Sequence, residues 1–350
     1  MISPRLSAIV VNHRTAAEAG DCVRSLREAF AREGMDGVGE IVLVDSASGP
    51  GERPALEAMP ADTRVFLEEN RGYSGGVNAG IARARGSVLF LCNADVVFLP
   101  GAAGALLRAA EAPDVGAAAP LCLWDVGERL RLPPESPAGF WGELAERHGG
   151  RFPSLDARRF GAFARRSLAL WEKGGDASHL AGAVLAVRRD VVERVGVFDE
   201  RFLFEYEETE WEDRVRAAGL RLRFVAEARV RHLFARSASR NPDTERRRTA
   251  SRRLYREQRY GRLGRAILER PARRRIFRAR PLADPSLPAR AGAWVAVSTN
   301  PSLIPFAGGP LTEEFRLPPD VLASLRPGPV YLRAFAPDGR ILETGVWDKR

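Results

Sequence analysis

Residues 87–95 read Ser-Val-Leu-Phe-Leu-Cys-Asn-Ala-Asp, an apolar run that stops at polar side chains. Residues 7–12 and 40–45 have the same character, since each is a short and nearly continuous apolar run. Such runs are typical of strands buried on both faces, as in a parallel sheet. Between the runs at 7–12 and 40–45, apolar residues recur at helical spacing from Ala16 to Phe30. This alternation predicts an α/β fold in which helices flank a mostly parallel sheet.

Polar residues end three of these predicted strands. Asn12 and Asp45 each close an apolar run, and Asp95 lies two residues beyond Asn93 at the end of another. In an open α/β sheet, ligands bind outside the carboxyl ends of the strands, and these ends lie at one edge. The sequence therefore predicts a ligand site at that edge.

Length and composition agree with a globular enzyme. The chain has 350 residues, 45% of them hydrophobic, enough for a large α/β domain and a smaller appendage. No run of about 18 apolar residues occurs, so we expect no membrane-spanning helix. The first residues lack the pattern of a secretory signal. Cys22, Cys92 and Cys122 lie among apolar residues, and we expect buried free thiols in a protein of the reducing cytoplasm.

Positive charge is concentrated in one segment. The net charge is +9, and the segment Arg246–Arg280 holds fifteen arginines but only two acids. Such a segment can contact anionic lipid, nucleic acid or a diphosphate-bearing substrate, or form a solvated helical face. We find no nucleic-acid-binding motif and expect no nucleic-acid partner. Peripheral contact of residues 246–280 with the inner face of a membrane is a hypothesis.

Composition changes along the chain predict its organisation. Residues 1–242 form the predicted catalytic domain, and residues 243–280 an Arg-rich helical extension. The Pro-rich residues 281–288 are typical of a linker. Residues 289–350 contain four short strand patterns and predict a small antiparallel β module. Its role is open between dimerisation, giving a homodimer, and acceptor binding.

A glycine-rich loop and an Asn-Ala-Asp sequence are candidates for ligand binding. Residues 70–80 are glycine-rich and open a predicted helix, so the backbone can approach an anion closely. A tight turn is the alternative explanation. Asp95 follows a buried strand and can bind Mg²⁺ or Mn²⁺ through oxygen, or be a turn residue exposed to solvent.

An acidic segment and one histidine are candidates for catalysis. Residues 205–214 are densely acidic and follow an apolar stretch, so Glu207 or Glu208 can take a proton from a hydroxyl nucleophile near a cleft. Crowding of carboxylates raises their proton affinity. The alternative is a solvated helical face. His232 ends a short strand and is either structural or a ligand of metal or phosphate.

Taken in order, the motifs resemble glycosyltransferase family 2, especially its rhamnosyltransferase-like branch. The series spans residues 7–260, and residues 289–350 lie outside it. The matching segments are Ile9–Asn12, Val44–Ser48, Asn70–Gly80, Asn93–Asp95, Ala181–Ala183, Arg188–Arg189, Gly196–Phe202, Glu207–Glu210 and Ala228–His232.

The resemblance implies a GT-A fold and an inverting transfer from a nucleoside-diphosphate sugar to a hydroxyl of a sugar, a lipid-linked or another acceptor. It implies a divalent cation, Mg²⁺ or Mn²⁺, with Asp95 and His232 as metal ligands. The catalytic base falls at Glu208, with Glu207 and Glu210 as alternatives. The donor-binding residues it implies are Asn12, Asp45, Asn70, Gly72, Tyr73, Gly75, Asn78, Asn93 and Gly182.

Two departures from the family pattern bear on these roles. Asn93 stands where an acid is usual, which leaves fewer anionic metal ligands. Glu208 is one methylene longer than the usual Asp. The branch suggests dTDP-rhamnose as donor, with UDP- and GDP-sugars as alternatives. Rival functions are a sugar-phosphate nucleotidyltransferase and a basic module that binds a membrane or nucleic acid.

Overall fold

Strand β1, Leu6–Asn12, pairs on both sides with parallel strands in a large sheet. The computed structural model describes residues 4–35, 37–135, 139–232, 243–270 and 279–350. The strands of the large sheet are β1, β2 Gly39–Ser46, β3 Thr63–Leu67, β4 Val88–Asn93, β5 Val96–Phe98, β6 Val115–Leu123, β7 Gly175–Ala177, β8 Val184–Arg188 and β9 Arg221–His232.

The large sheet combines a parallel and an antiparallel part. Its spatial order is β3-β2-β1-β4-β8-β6-β9-β5, and β7 also pairs with β9. The strands from β3 to β4 are parallel, whereas β8 runs antiparallel to β4 and to β6. Strand β9 pairs antiparallel with β5 and with β7. The direction of these later strands was not evident from apolar runs alone.

Helices cover the sheet and connect its strands. They are α1 Ala16–Arg32, α2 Arg53–Glu57, α3 Gly72–Ile81, α4 Ala102–Ala110, α5 Phe140–Arg147, α6 Pro153–Lys173, α7 Arg189–Val195, α8 Glu207–Ala217, α9 Thr244–Glu269 and α10 Pro319–Ser324. Every residue of β1 is buried, as expected for a strand covered on both faces.

The chain divides into two compact units. The first comprises Met1–Leu121 and Gly174–Arg259, and the second Cys122–Lys173 and Tyr260–Arg350. In the second unit, strands pair in the order β10-β16-β15-β12-β13, and β11 pairs with β14. These strands are β10 Arg280–Pro281, β11 Ser286–Leu287, β12 Trp294–Ser298, β13 Ala307–Pro310, β14 Phe315–Arg316, β15 Gly328–Phe335 and β16 Ile341–Lys349.

The predicted fold class is confirmed. The large sheet has a parallel core with flanking helices, and a separate, mainly antiparallel sheet lies towards the C-terminus. The three cysteines are free and buried, as expected. Within the described residues, no helix is long and apolar enough to cross a membrane.

Several expectations about organisation stay predictions. The boundary at residue 242 lies outside the described residues, as do residues 271–278 of the basic segment. The proposed linker at 281–288, membrane contact through residues 246–280 and a homodimer likewise stay predictions. The described part of the basic segment lies mostly in helix α9, whose backbone kinks at Gly261, where φ is 69°.

Helix α3 packs unusually close to the parallel strands. A methyl group at Gly80 would lie 2.3 Å from Cγ2 of Ile9 and 3.2 Å from Cγ2 of Val44. At Gly76 it would lie 2.5 Å from Cγ1 of Val11. Glycine at these positions therefore lets the middle and the end of α3 lie directly against strands β1 and β2.

We predict that Gly80→Ala lowers the free energy of unfolding by about 1–3 kcal/mol, because the added methyl group overpacks the contact with β1. The matched control is Gly20→Ala in helix α1, where the nearest atoms are flexible side-chain ends at 3.4 and 3.7 Å. That control should be neutral or stabilising by up to about 1 kcal/mol. Urea unfolding measures both, and equal stability of the two variants would contradict the packing argument.

Candidate active site

Asp45 is held in place by the end of the neighbouring strand. Asn12 pairs with Asp45 across β1 and β2, and its Nδ2 donates to Asp45 Oδ1 at 2.8 Å. The backbone N–H of Ser48 donates to Asp45 Oδ2 at 3.1 Å. Asn12 is fully buried, so it orients the carboxylate rather than presenting its own amide at the surface.

His13 is a site residue that the sequence reasoning missed. Its Nδ1 donates to the Ser46 carbonyl at 2.8 Å, which leaves Nε2 to accept from Asn70 Nδ2 at 3.1 Å. Burial, followed by the charge of Arg14, lowers the pKa of His13, although the bond to Ser46 acts in the opposite direction. A neutral imidazole therefore connects the end of β1 to the loop before α3. Its position directly after Asn12 was the available signal.

The loop before helix α3 is fixed by Asn70 and by close backbone contact. Asn70 Oδ1 accepts from the Gly72 N–H at 2.9 Å. Gly72 has φ of +71°, and a Cβ there would lie 2.6 Å from the Leu203 carbonyl oxygen. Helix α3 begins at Gly72, inside the glycine-rich segment 70–80. A Cβ at Gly75 would lie 2.4 Å from Cβ of Arg71, so this turn also needs glycine.

Asn78 lies one turn further along α3 and holds another loop. Its Nδ2 donates to the Phe198 carbonyl at 2.9 Å and to Glu200 Oε1 at 3.0 Å. Its Oδ1 accepts from the Phe198 N–H at 3.1 Å. Arg71 also pairs with Glu200. Asn78 thus holds residues 198–200 against α3, and its role in donor binding stays a prediction.

Asp95 and His232, both predicted as metal ligands, lie together. Strands β5 and β9 pair antiparallel so that Val96 lies opposite His232. His232 Nε2 is 3.2 Å from Asp95 Oδ1, and the side chains are only 10% and 9% exposed. Asn93 lies close by in the chain, at the end of β4. Among the described residues, no group of three His, Cys, Asp or Glu side chains could hold a metal.

Helix α8 begins with buried carboxyl groups. Glu207 and Glu212 are buried residues, and Oε2 of Glu208 is also buried. A Cβ at Gly182 would lie 2.9 Å from Cγ and 3.1 Å from Oε1 of Glu208. Glycine at this position leaves room for the Glu208 side chain, which accounts for Gly182 among the predicted site residues.

The backbone before α8 is strained. Glu205 and Tyr206 have φ values of 60° and 72°, although neither is glycine. Residues with side chains rarely occupy this left-handed region, and two in succession cost on the order of 1–3 kcal/mol each. The turn directs the chain so that Glu207 and Glu208 lie in the first helical turn. Strain of this kind is common next to functional groups.

The buried carboxyl groups have altered proton affinities. Burial raises the pKa of Glu208 to about 7, and a hydrogen bond with Glu207 opposes that rise. Burial and the nearby charge of Glu208 raise the pKa of Glu207 well above its ordinary value. Both carboxyl groups therefore favour the protonated form more strongly than a carboxyl group in water does. Glu210 differs, since it forms a two-pronged ion pair with Arg214 at 2.9 Å.

Tyr73, in the first turn of α3, is a buried phenol whose proton affinity depends on nearby carboxyl groups. Its hydroxyl is buried and, within the described residues, has no hydrogen-bond partner; the same holds for Oε2 of Glu207 and of Glu208. Burial raises the pKa of Tyr73, and the charges of Glu207, Glu208 and Asp95 add to the effect. The charges of these three carboxyl groups therefore act on one phenol in the first turn of α3.

Strand register links this group to Asp45. Asn12 lies opposite Asp45 on one side of β1, and Val11 lies opposite Asn93 on the other. Adjacent strands are about 4.8 Å apart, so Asp45 and Asn93 end strands roughly 10 Å apart at the same edge. Helix α3, with Tyr73 in its first turn, starts at this edge. Asp45 and Asn93 therefore end strands at one edge, and the joint role of Asp45, Asp95 and Glu208 in one site stays a prediction.

Comparison with known protein families decides the membership of the chain. The family model described as Glycosyl transferase family 2 matches residues 7–196, more than half of the chain. The chain belongs to glycosyl transferase family 2. It is therefore a glycosyltransferase with the α/β architecture described above, and the match includes the strand ends at Asn12, Asp45 and Asn93 and also Gly182.

Relatives of this glycosyltransferase include an N-acetylglucosaminyl-diphospho-decaprenol L-rhamnosyltransferase from Mycobacterium tuberculosis (strain CDC 1551 / Oshkosh). The two are 29% identical over 215 residues, 58% of this chain and 69% of the relative. The succinoglycan biosynthesis protein ExoO from Rhizobium meliloti (strain 1021) is 36% identical over 97 residues, 27% of each chain. These relatives and the family match support the rhamnosyltransferase-like branch.

A solved structure with partial similarity is a mannosyltransferase from Pyrobaculum calidifontis in complex with GDP-Man and Mn²⁺. Its TM-score is 0.49 and its sequence identity 20%, over 78% of this chain and 67% of that one.

We predict that Glu208→Gln raises the free energy of unfolding above that of the wild type, and by more at pH 8 than at pH 5. The native pKa of Glu208, about 7, exceeds its ordinary value of 4.5. The wild type therefore has its full free energy of unfolding below pH 4.5, and part of it is lost as the pH rises through 7. Gln does not ionise, and its gain at alkaline pH is on the order of 3 kcal/mol.

Urea unfolding of both proteins at the two pH values measures this gain. The control is Glu210→Gln, which removes an ion pair with Arg214 on the same helix and should change stability similarly at both pH values. An equal pH dependence of Glu208→Gln and the wild type would mean that Glu208 is not held in a charge-excluding environment.

Proposed function

We propose that this glycosyltransferase moves a sugar from a nucleoside-diphosphate sugar to an acceptor hydroxyl with inversion at the anomeric carbon. The observation that carries the proposal is that Glu208 lies against Gly182, and that the adjacent Ala183 carbonyl accepts from the Asn93 N–H at 3.0 Å, at the end of β4 and two residues before Asp95. This arrangement combines a buried proton acceptor with an anionic ligand group near a helix start. Glycosyl transfer by displacement needs both, on opposite sides of the reacting carbon.

The donor we propose is dTDP-rhamnose, and the acceptor a sugar carried on a polyprenyl diphosphate. The support is the relative whose name specifies rhamnosyl transfer to N-acetylglucosaminyl-diphospho-decaprenol. UDP- and GDP-sugars are the alternatives for the donor.

Three features support binding of the nucleotide at the ends of β1 and β2. The Asp45 carboxylate, oriented by Asn12 and Ser48, can accept from a base N–H or a ribose hydroxyl. Asn70 holds Gly72 at the start of α3, and the positive end of a helix dipole favours a diphosphate. Tyr73, Gly75, Asn78, Asn93 and Gly182 complete the predicted donor pocket.

Asp95 and His232 fit a divalent cation of the Mn²⁺ or Mg²⁺ type. Their facing oxygen and nitrogen atoms, 3.2 Å apart, supply two adjacent ligands, and phosphate oxygens and water can supply the rest. When bound, such a cation neutralises the negative charge that develops on a departing diphosphate.

Glu208 accepts the proton in the proposed displacement. The acceptor oxygen forms a bond to the anomeric carbon while the bond from that carbon to the phosphate oxygen breaks. The bonding electron pair leaves with the nucleoside diphosphate, and the hydroxyl proton passes to the Glu208 carboxylate. In this step Glu207 stays protonated, because burial and the charge of Glu208 raise its pKa well above the ordinary value, and Glu208 is the base. One displacement inverts the anomeric configuration.

We predict that Glu208→Gln lowers kcat by about 10²–10⁴-fold, because the amide cannot accept the proton. For the wild type, kcat should fall about tenfold per pH unit below pH 7, since only ionised Glu208 acts as base. Nucleotide release from dTDP-rhamnose with a polyprenyl-diphosphate-linked GlcNAc acceptor measures both. NMR of the product gives its anomeric configuration.

The matched control is Glu207→Gln, which keeps the size and polarity of a protonated Glu207 and should leave most of the activity. A fully active Glu208→Gln together with an inactive Glu207→Gln would move the base to Glu207. A product with retained configuration would exclude single displacement.

We predict that Asp95→Ala loses the part of nucleotide binding that depends on the cation. Thermal-shift titrations with dTDP, UDP and GDP, each with and without Mn²⁺, measure this part and rank the nucleotides. Asp45→Ala is the control, because it should weaken binding in both conditions alike. If Asp95→Ala keeps the full Mn²⁺ response, then Asp95 does not hold the cation.

A further inference from the structure

Asp213 joins three separate segments of the first unit. His179 Nε2 lies 3.2 Å from its Oδ1. The Tyr255 hydroxyl donates to its Oδ2 at 3.0 Å, and Arg259 Nε lies 3.1 Å from the same oxygen. Asp213 belongs to helix α8, Tyr255 and Arg259 belong to helix α9, and His179 precedes strand β8. A carboxylate bound on both oxygens has a fixed orientation, and bonds to charged partners are the stronger ones.

The neighbouring residue, Glu212, binds the same loop. Glu212 is fully buried, and its Oε2 accepts from the Leu180 N–H at 3.0 Å. Two successive side chains of α8 thus hold residues 179–180. Two residues further, Gly182 lies against the Glu208 carboxyl group. The loop of residues 179–182, which is bound by the middle of α8, therefore also lies against Glu208 in the first turn of α8.

Helix α9 also holds the turn that precedes Glu207. Arg248 Nε donates to Glu205 Oε2 at 2.9 Å, and the rings of Tyr206 and Tyr255 lie 5.3 Å apart. Glu205 and Tyr206 are the two residues with left-handed backbone. A strained turn persists only where surrounding contacts hold it, and α9 supplies those contacts. Tyr255 is 3% exposed and contributes to both contact regions.

We propose that Asp213 and Tyr255 are positioning residues that set the place of the Glu208 carboxyl group, a role that rests on Glu208 being the base in the proposed function. The first half of the Arg-rich helix α9 is then part of the catalytic architecture. Asp213 transmits its position to the loop at Gly182 through His179, and Tyr255 fixes both Asp213 and the turn before Glu207. Misplacing a reacting group by about 1 Å can cost on the order of a hundredfold in rate.

The first test is Tyr255→Phe, which removes one hydroxyl group and keeps the ring. We expect kcat to fall about fivefold, while KM for the donor stays within about twofold, because the nucleotide-binding strand ends are untouched. The matched control is Tyr260→Phe on the same helix, whose hydroxyl lies 3.5 Å from Glu143 Oε1. The control should leave kcat and KM unchanged.

The second test compares Asp213→Asn with Asp213→Leu. The amide oxygen of Asn can accept from Tyr255 and Arg259, and its NH₂ can donate to His179 Nε2. His179 Nδ1 is buried and, within the described residues, has no hydrogen-bond partner, so the ring is free to exchange its tautomer. We expect Asn to keep at least about a third of kcat and Leu to lose about thirtyfold, with binding of dTDP retained in both.

Unchanged kcat in Tyr255→Phe would overturn the proposal, as would a donor KM that rises as much as kcat falls. Tyr255→Phe decides the question alone if Asp213→Leu does not fold. Glu208→Gln measured alongside separates the two ideas. If Glu208→Gln is inactive and Tyr255→Phe is normal, only the positioning role fails, whereas a fully active Glu208→Gln removes the base on which it rests.

Discussion

The burial of carboxyl groups at the start of helix α8 is the constraint on which the site depends. Removing an acidic side chain from water penalises its ionised form, and this penalty raises the pKa of Glu208 to about 7. Burial and the charge of Glu208 raise the pKa of the neighbouring Glu207 well above its ordinary value as well. The open space at Gly182 and the left-handed turn at Tyr206 both serve to hold this pair.

Close packing of a glycine-containing helix against parallel strands brings the other half of the site to the same edge. Gly76 and Gly80 let α3 lie against β1, and the first turn of α3 carries Tyr73, whose pKa is raised by burial and by the charges of Glu207, Glu208 and Asp95. Asn12 and His13, at the end of β1, hold Asp45 and Asn70. These contacts bring side chains from separate segments to the edge of the sheet where β1 and β2 end.

Part of the fold was predictable from the sequence, because buried strands depend on the local pattern of apolar residues. The apolar runs at 7–12, 40–45 and 87–92 correspond to strands β1, β2 and β4, since period and composition report burial directly. The pairing of Asp95 with His232 was expected only from family resemblance, because it depends on antiparallel register between β5 and β9. His13 and the bonds around Asp213 were missed, since each joins residues distant in the chain whose types are unremarkable alone. Helix α9 illustrates the difference most clearly, because its arginines cluster in the sequence, whereas Asp213 of helix α8, the partner of its buried Tyr255, is set by the fold.

The sequence by itself determined the fold class, the strand ends that bear polar residues and the membership of glycosyl transferase family 2. These follow from periodicity and ordered motifs, which are local properties of the chain. Only the tertiary structure decided which acid is buried beside Gly182 and which is neutralised by Arg214, because Glu207, Glu208 and Glu210 look alike in one dimension. Proton affinity depends on solvent exclusion and on neighbouring charge, and both are set by segments that the fold brings together from far apart in the chain.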